Sequence, residues 1–264
     1  MATDVMNLAG VTFSMKFGEV VNNSGVALAR FRYDGVFGLA FTNTSSQKTA
    51  NILDALFDAK VISEKSVSIY INSNGRSKLD GEIVFGGVNQ KRFVAPVKYY
   101  PVAPNQTRWT IDMKSVSVAD KVTLCINGCN GAIYSGGHAI MISPISEAHK
   151  LNELIGATRT DLGYYQFDCK DQIRMPNISF YMTASSLATE SIEKENTEDA
   201  LILTPQDYTI NYREGCYSPF VGISPGPRVA NNTWFLGTAF LNKYHVVLDG
   251  EQMRIGFAES VPEQ

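Results

Sequence analysis

Apolar and polar residues alternate with period two along much of the chain, and turn residues interrupt the alternation at short intervals. Ser66-Val67-Ser68-Ile69-Tyr70-Ile71 reads as a strand, followed by a turn at Asn72-Ser73-Asn74-Gly75. Gly81-Glu82-Ile83-Val84-Phe85-Gly86-Gly87 reads as its partner in a hairpin with a long loop. The same pattern predicts strands at Val94–Val102, Trp109–Val118, Asn177–Met182, Leu201–Leu203 and Tyr244–Leu248. Only two helices are predicted. Leu53, Leu56 and Phe57 form an i, i+3, i+4 stripe, and a second helix opens at Ser143-Pro144 with Ile145, Ala148 and Leu151 on one side. Both stripes read as core packing. The polar stretch Thr189–Asp199 reads as a solvated loop or a short exposed helix, and nothing repeats at a short fixed period. The pattern therefore predicts an all-β protein with few short helices.

Composition narrows the function classes. A chain of 264 residues, 44% hydrophobic and 19% charged, can bury one sizeable core and has room for two. The net charge of -3 offers no basic face, so no nucleic-acid partner is expected. Apolar runs such as Val36–Phe41 are far too short to cross a bilayer, so no membrane span is expected. Met1–Gly10 shows no cationic segment followed by an apolar stretch and is no signal peptide. The expectation is that the chain either stays out of the secretory route or lacks its natural beginning. Cysteines and sequons favour the second option. Cys125, Cys129, Cys169 and Cys216 make an even count that suits two disulfides, with three pairings open. Asn-X-Ser/Thr sequons stand at Asn22, Asn43, Asn105, Asn177 and Asn231, against about one or two expected by chance. A cytosolic protein with reduced thiols and unused sequons is the competing reading.

Six segments, taken in order, resemble the pepsin-like aspartic proteases. Phe31-Arg32-Tyr33-Asp34-Gly35-Val36-Phe37-Gly38-Leu39-Ala40-Phe41 resembles the "F-D-G-I-L-G-L-A" segment that closes the family's first lobe. Gly81–Val88 resembles its inter-lobe strand, and Tyr100-Pro101-Val102 with Trp109-Thr110-Ile111 resembles the "V-P-V…W-Q-I" entry to the second lobe. Cys125-Ile126-Asn127-Gly128-Cys129 is similar to the short disulfide loop before the second active-site strand. Trp234-Phe235-Leu236-Gly237 resembles "W-I-L-G", and Ile255-Gly256-Phe257-Ala258 the terminal "V-G-L-A". These matches run from about Asp4 to Ala258. The resemblance implies a bilobal pepsin-like fold, with a partial N-terminal lobe and inter-lobe strand over residues 1–100 and a C-terminal lobe over residues 101–264. It also implies the pairings Cys125–Cys129 and Cys169–Cys216, and a secreted or endolysosomal location.

That family's chemistry uses two aspartates, one from each lobe, close enough that like-charge repulsion leaves one proton shared between them. The dyad deprotonates an attacking water while its protonated oxygen polarises the scissile carbonyl. Each Asp sits in a hydrophobic-hydrophobic-Asp-Thr/Ser-Gly turn. Here the second turn reads Ala132-Ile133-Tyr134-Ser135-Gly136-Gly137-His138. Ser135 and Gly136 suit their positions, but Tyr134 stands where the aspartate belongs. A phenol, with an ordinary pKa of about 10, is no base at acidic or neutral pH, and its ring fills space a water would need. Gly137-His138 and Thr238 also depart from the family pattern, which usually has a small hydroxyl pair and "L-G-D" there. Asp4–Gly10 resembles the strand after the family's flap, so by that register the chain starts beyond the first Asp-Thr-Gly turn; neither Asp-Thr-Gly nor Asp-Ser-Gly occurs in it. The expectation is a truncated first lobe with no catalytic residues, open sheet edges and a stable second lobe.

Other chemistries read less well. Ser135 with His138 has no Gly-X-Ser-X-Gly elbow, and Cys125, Cys129 and His138 fit the disulfide loop better than a zinc site. His149 and His245 read as a helix-face and a strand histidine, and Gly86-Gly87 and Gly136-Gly137 sit in no phosphate loop. Neither metal nor cofactor is expected. Asp112, Asp120 and Asp249 are the acids nearest in sequence and read as parts of strands or turns elsewhere. Three functions follow: an inactive homologue acting as a secreted binding protein, an incomplete product of a degenerate protease locus, or an aspartic endopeptidase with an upstream segment absent. A peptide or protein ligand would lie along Tyr134–His138 and Trp234–Phe240.

Overall fold

A computed structural model describes residues 1–21, 33–45, 48–72, 81–183, 200–212, 215–227 and 229–261, apart from the side chain of Asn43. The sequon at Asn22, residues Phe31 and Arg32, most of the turn after Asn72 and the polar stretch Thr189–Asp199 lie outside the described residues.

The chain opens with a hairpin of β1 (Ala2–Leu8) and β2 (Val11–Phe17), paired Leu8 to Val11. Ala9 and Gly10 connect them with positive φ of 51° and 86°, the two-residue turn that matches strand twist. The hairpin buries Phe13 against Ile52 and Leu56 of α1 (Ile52–Asp58). Asn51 caps α1 by accepting the Asp54 N–H at 2.9 Å. The predicted stripe on α1 divides its work: Leu53 joins the main core, Leu56 joins the hairpin, and Phe57 is half-buried. Asp54 bonds Lys65 Nζ and Thr42 Oγ1, each at 2.6 Å. Burial alone would raise its pKa, but these bonds hold it below the usual value.

Next come β3 (Ser66–Ile71), β4 (Gly81–Phe85) and β5 (Phe93–Pro101). The strand expected at Gly81–Gly87 stops at Phe85 because Gly86 and Gly87 turn to φ 78° and 157°. Strands β6 (Thr110–Val118), β7 (Lys121–Leu124), β8 (Cys129–Ile133) and β9 (Ile140–Ser143) lead to α2 (Ile145–Leu154). On α2, Ala148 and Leu151 are fully buried, whereas Ile145 in the first turn remains 37% exposed. The small strands β10 (Thr158–Arg159) and β11 (Tyr165–Phe167) precede β12 (Ile178–Met182) and β13 (Ala200–Leu203). Single-turn helix α3 (Pro205–Tyr208) follows, then β14 (Ile210–Tyr212), β15 (Gly215–Tyr217), β16 (Phe220–Gly222) and β17 (Thr233–Leu236). Helix α4 (Thr238–Leu241), β18 (Tyr244–Asp249) and β19 (Arg254–Ser260) complete the order. The expectation of only two helices is thus corrected. Helices α3 and α4 are too short for a stripe to register, although Pro205 and the Asp207 carboxylate bonded to the Thr204 N–H mark the start of α3.

Strands dominate, as the alternation and the resemblance both predict. One sheet runs β4-β3-β18-β19-β5, wholly antiparallel, and draws strands from both sides of residue 100. The largest runs β13-β12-β6-β8-β17-β9-β16 with β7 beside β6, and a small sheet runs β10-β11-β15-β14. The main core fills the space between the large sheet, the five-stranded sheet and α2. Phe180 contacts Trp234 and Phe240 edge to face at 5.9 and 5.3 Å, and Phe240 meets Phe257 at 6.0 Å. Both expected disulfides form, Cys125–Cys129 and Cys169–Cys216.

One carboxylate ties these parts together. Glu147 of α2 accepts the Cys125 N–H at 2.9 Å and the indole N–H of fully buried Trp234 at 3.2 Å. Removing it strands a buried indole donor and frees the disulfide loop. Glu147→Ala is expected to cost about 3 kcal/mol in urea unfolding, and Glu147→Gln roughly half of that. The exposed neighbour change Glu153→Ala should stay within about 0.5 kcal/mol.

Candidate functional site

The turn singled out by the sequence lies where three strands of the large sheet meet. Strand β17 inserts between β8 and β9, parallel to the first and antiparallel to the second. Residues 134–139 link β8 to β9 across the end of β17. The turn and the departing strand are stitched by backbone bonds: Tyr134 N–H donates to Leu236 at 3.1 Å, Thr238 N–H to Gly137 at 2.8 Å, and Ala239 N–H to His138 at 3.0 Å. Gly237 passes through this junction. A Cβ there would lie 2.1 Å from the Ala139 carbonyl oxygen and 2.7 Å from that of Gly137. Backbone cannot yield by that much, so only glycine fits.

Tyr134 follows Ile133 at the end of β8 and is half-buried. Its ring folds back over its own turn: a Cβ on Gly137 would stand 2.7 Å from Tyr134 Cε1, and one on Gly136 3.4 Å from Cε2. The ring meets that of Phe235 at 6.1 Å and 78°, and the Arg108 guanidinium lies 5.8 Å from the Phe235 ring centre. Ser135 and Gly136 are exposed. The His138 ring is exposed too, with Nδ1 3.0 Å from Thr238 Oγ1, and desolvation on its packed side lowers its pKa. The turn therefore presents a phenol, two hydroxyls and an imidazole, groups suited to hydrogen bonding.

The acids that the sequence places nearest lie elsewhere. Asp112 sits exposed on β6 opposite Asn130, and Asp120 is exposed in the β6–β7 turn at φ 61°. Asp249 ends β18, bonded to Arg254 Nε at 2.8 Å and to the N–H groups of Glu251 and Gln252. Partial burial works against its charge, yet these bonds lower its pKa. Cys125 and Cys129 are sulfur-bonded and hold no free thiolate for a metal. Among the described residues no three His, Cys, Asp or Glu side chains gather closely enough to hold a metal ion. His149 lies on α2 with its ring 6.0 Å from Tyr165, and His245 lies on β18. No helix among the described residues is long and apolar enough to cross a membrane.

One part of the expected ligand surface is corrected. Trp234, Phe235, Leu236, Ala239 and Phe240 are buried, because β17 runs inside the large sheet and α4 packs into the core; of this stretch only Thr238 is partly exposed. A groove of ≈ 1040 Å³ lies away from Tyr134, lined by Met6, Met15, Phe17, Tyr33, Val36 and Phe37 among others. The sequon asparagines Asn105, Asn177 and Asn231 are exposed, whereas Ser179 and Thr233 of the latter two sequons are buried. Sequence reasoning quoted Gly237 within a motif but missed its threading role, and it missed Thr238 as the partner of His138. A glycine closing an apolar strand run was the available signal.

The family model described as eukaryotic aspartyl protease matches residues 1–260. Cathepsin D of Clupea harengus is 30% identical over 248 residues, covering 92% of this chain and 58% of that protein. Cathepsin D of Homo sapiens is 27% identical over 264 residues, 98% of this chain and 60% of that protein. Cathepsin E-A of Xenopus laevis is 29% identical over 261 residues, 98% of this chain and 61% of that protein. The chain thus spans roughly three fifths of the length of these relatives.

Gly237→Ala is expected to destabilise the fold by about 4 kcal/mol or more in urea unfolding, since its methyl meets two backbone carbonyls. Gly136→Ala, whose methyl only touches the Tyr134 ring, should cost less than about 1 kcal/mol.

Proposed function

Because the chain belongs to the eukaryotic aspartyl protease family, we propose that it is a member that binds rather than cuts, with Tyr134 standing in for the second catalytic aspartate. The observation that carries this reading is the place of Tyr134 at the end of β8, where the resemblance puts the acid, with its ring spread over Gly136 and Gly137. Chemistry of the family type needs a carboxylate there that can share a proton with a second one. Tyr134 offers a hydroxyl donor and an aromatic edge instead. Asp112, Asp120 and Asp249 sit on other elements, and Asp249 is already bonded to Arg254. The first lobe spans residues 1–100 and the second residues 101–264, and an extended peptide or protein segment meets the exposed side of the turn at Tyr134, Ser135, His138 and Thr238. The two disulfides support a secreted or endolysosomal route, in which exposed Asn105, Asn177 and Asn231 carry glycans.

Family membership favours a second reading, acid endopeptidase activity of the kind the family model names. The two readings separate in one assay: cleavage of denatured globin from pH 2 to 7, with and without a transition-state-analogue peptide inhibitor of pepsin. The binding reading expects no inhibitor-sensitive cleavage by the wild type. Inhibitor-sensitive cleavage would overturn it. Tyr134→Asp, run alongside, reports whether restoring one acid suffices. For the glycans, expression in a secreting eukaryotic cell should yield a protein whose apparent mass drops on treatment with an amide-cleaving glycosidase, and unchanged mass would sink that part.

A further inference from the structure

His245 stands apart from the turn and has no part in the proposed binding site. Its neighbours Tyr244 and Val246 face the main core, so alternation along β18 puts the imidazole on the opposite face of the five-stranded sheet. There it is 1% exposed and stacked on Phe93 at 4.8 Å and 27°. Neither Nδ1 nor Nε2 has a hydrogen-bond partner among the described residues. A neutral imidazole tolerates this; an imidazolium with two unsatisfied donors does not.

The charged and titratable groups around it offer little to a new cation. From β3 comes Tyr70, whose hydroxyl donates to the Val261 carbonyl. From β4 comes Glu82, bonded to Asn89 at 2.8 Å and to Arg92 at 3.3 Å. Arg92, in the turn before β5, lies 5.2 Å above the Tyr70 ring and is itself a cation. On β19 the cross-strand residue is Ala258, and next to it Glu259 pairs with Lys243. Among the described residues Glu82 is the carboxylate that acts on His245 from another strand, and it already serves Arg92. The strand that Phe93 begins is paired irregularly at this end. Phe93 and Val94 pair with Ser260 and Glu259, but a register break separates them from the regular pairing that resumes at Lys98 and Phe257. Such an end can detach without unfolding the rest.

We propose that His245 is an acid-sensitive latch: neutral, it clasps Phe93 and holds the start of β5 on β19; protonated, it releases that end. Burial pushes the imidazole pKa down from 6.5 to about 4, with Glu82 opposing only part of the shift. A base with a lowered folded-state pKa gives stability that is complete above the unfolded value near 6.5 and is lost as pH falls toward 4. Each unit inside that window lowers the folding constant by up to about tenfold, and from pH 7.5 to 4 the loss is on the order of 100-fold.

The test compares the disulfide-intact wild type with His245→Phe, which keeps the aromatic stack and removes the titration. Urea unfolding at pH 7.5 and pH 4 should show the wild type losing on the order of 100-fold more in its folding constant than the variant. Amide exchange at Phe93, Val94, Glu259 and Ser260, corrected for intrinsic rates, should quicken toward pH 4 in the wild type by more than exchange in β8 and β17. Equal pH dependence of wild type and variant, or exchange that rises uniformly, would overturn the latch. NMR titration of the His245 ring in the wild type decides the matter independently of how well the variant folds: a midpoint near 4 supports the latch, and a midpoint near 6.5 refutes it.

Discussion

The insertion of β17 between β8 and β9 is the constraint on which the rest of the structure depends. It forces the turn at residues 134–139 to bridge over the end of a strand, and it forces that strand to leave beneath the bridge. The crossing works because Gly237 presents no side chain to the Ala139 and Gly137 carbonyls. Three backbone bonds then lock turn and strand together. From the same strand Trp234 reaches Glu147, so the crossing, the short disulfide loop and α2 form one connected body. Such contiguous backbone and side-chain bonding gives the turn a fixed shape rather than an average of shapes.

That fixed shape explains why a tyrosine can occupy the turn without disrupting it. The two glycines after Ser135 carry no side chains, and the Tyr134 ring packs over them and meets Phe235 at a steep angle. A carboxylate in the same place would face an aromatic ring and exposed backbone, and would hold its charge only with donors directed at it. The proposed loss of cleavage thus needs no change in the scaffold. Binding surfaces can be kept while chemistry is lost, because the fold and the site answer to different residues.

Much of the scaffold was legible in the sequence. Strands β3, β5, β6, β12 and β18 follow from their apolar pattern and bounding turn residues to within about two residues, although β3, β12 and β18 bury both faces. Helices α3 and α4 were missed because one turn cannot show a period, and β14–β16 because three residues cannot show alternation. The disulfide pairing was open from spacing and came only through resemblance. At the site, Tyr134, Ser135 and Gly136 were found by position in a motif, whereas the roles of Gly237 and Thr238 depend on a contact between chain segments about 100 residues apart. Trp234–Phe240 was misplaced on the surface for the same reason: a strand's burial on both faces is set by its neighbours in the sheet. The orphaned nitrogens of His245 are likewise a property of packing, invisible in a strand that reads as ordinary.

The central claim is that the turn at Tyr134 keeps the family's scaffold without a proton-sharing carboxylate. Calorimetric titration of the wild type with a hydroxyl-bearing transition-state-analogue peptide, at pH 3.5 and pH 6 in buffers of different ionisation enthalpy, tests it most directly. The account predicts either no binding or binding without uptake of a proton, since the turn at residues 134–139 offers no carboxylate pair to take one up. Tight binding coupled to uptake of a proton, strongest at the lower pH, would reveal a carboxylate pair at the site and contradict the account.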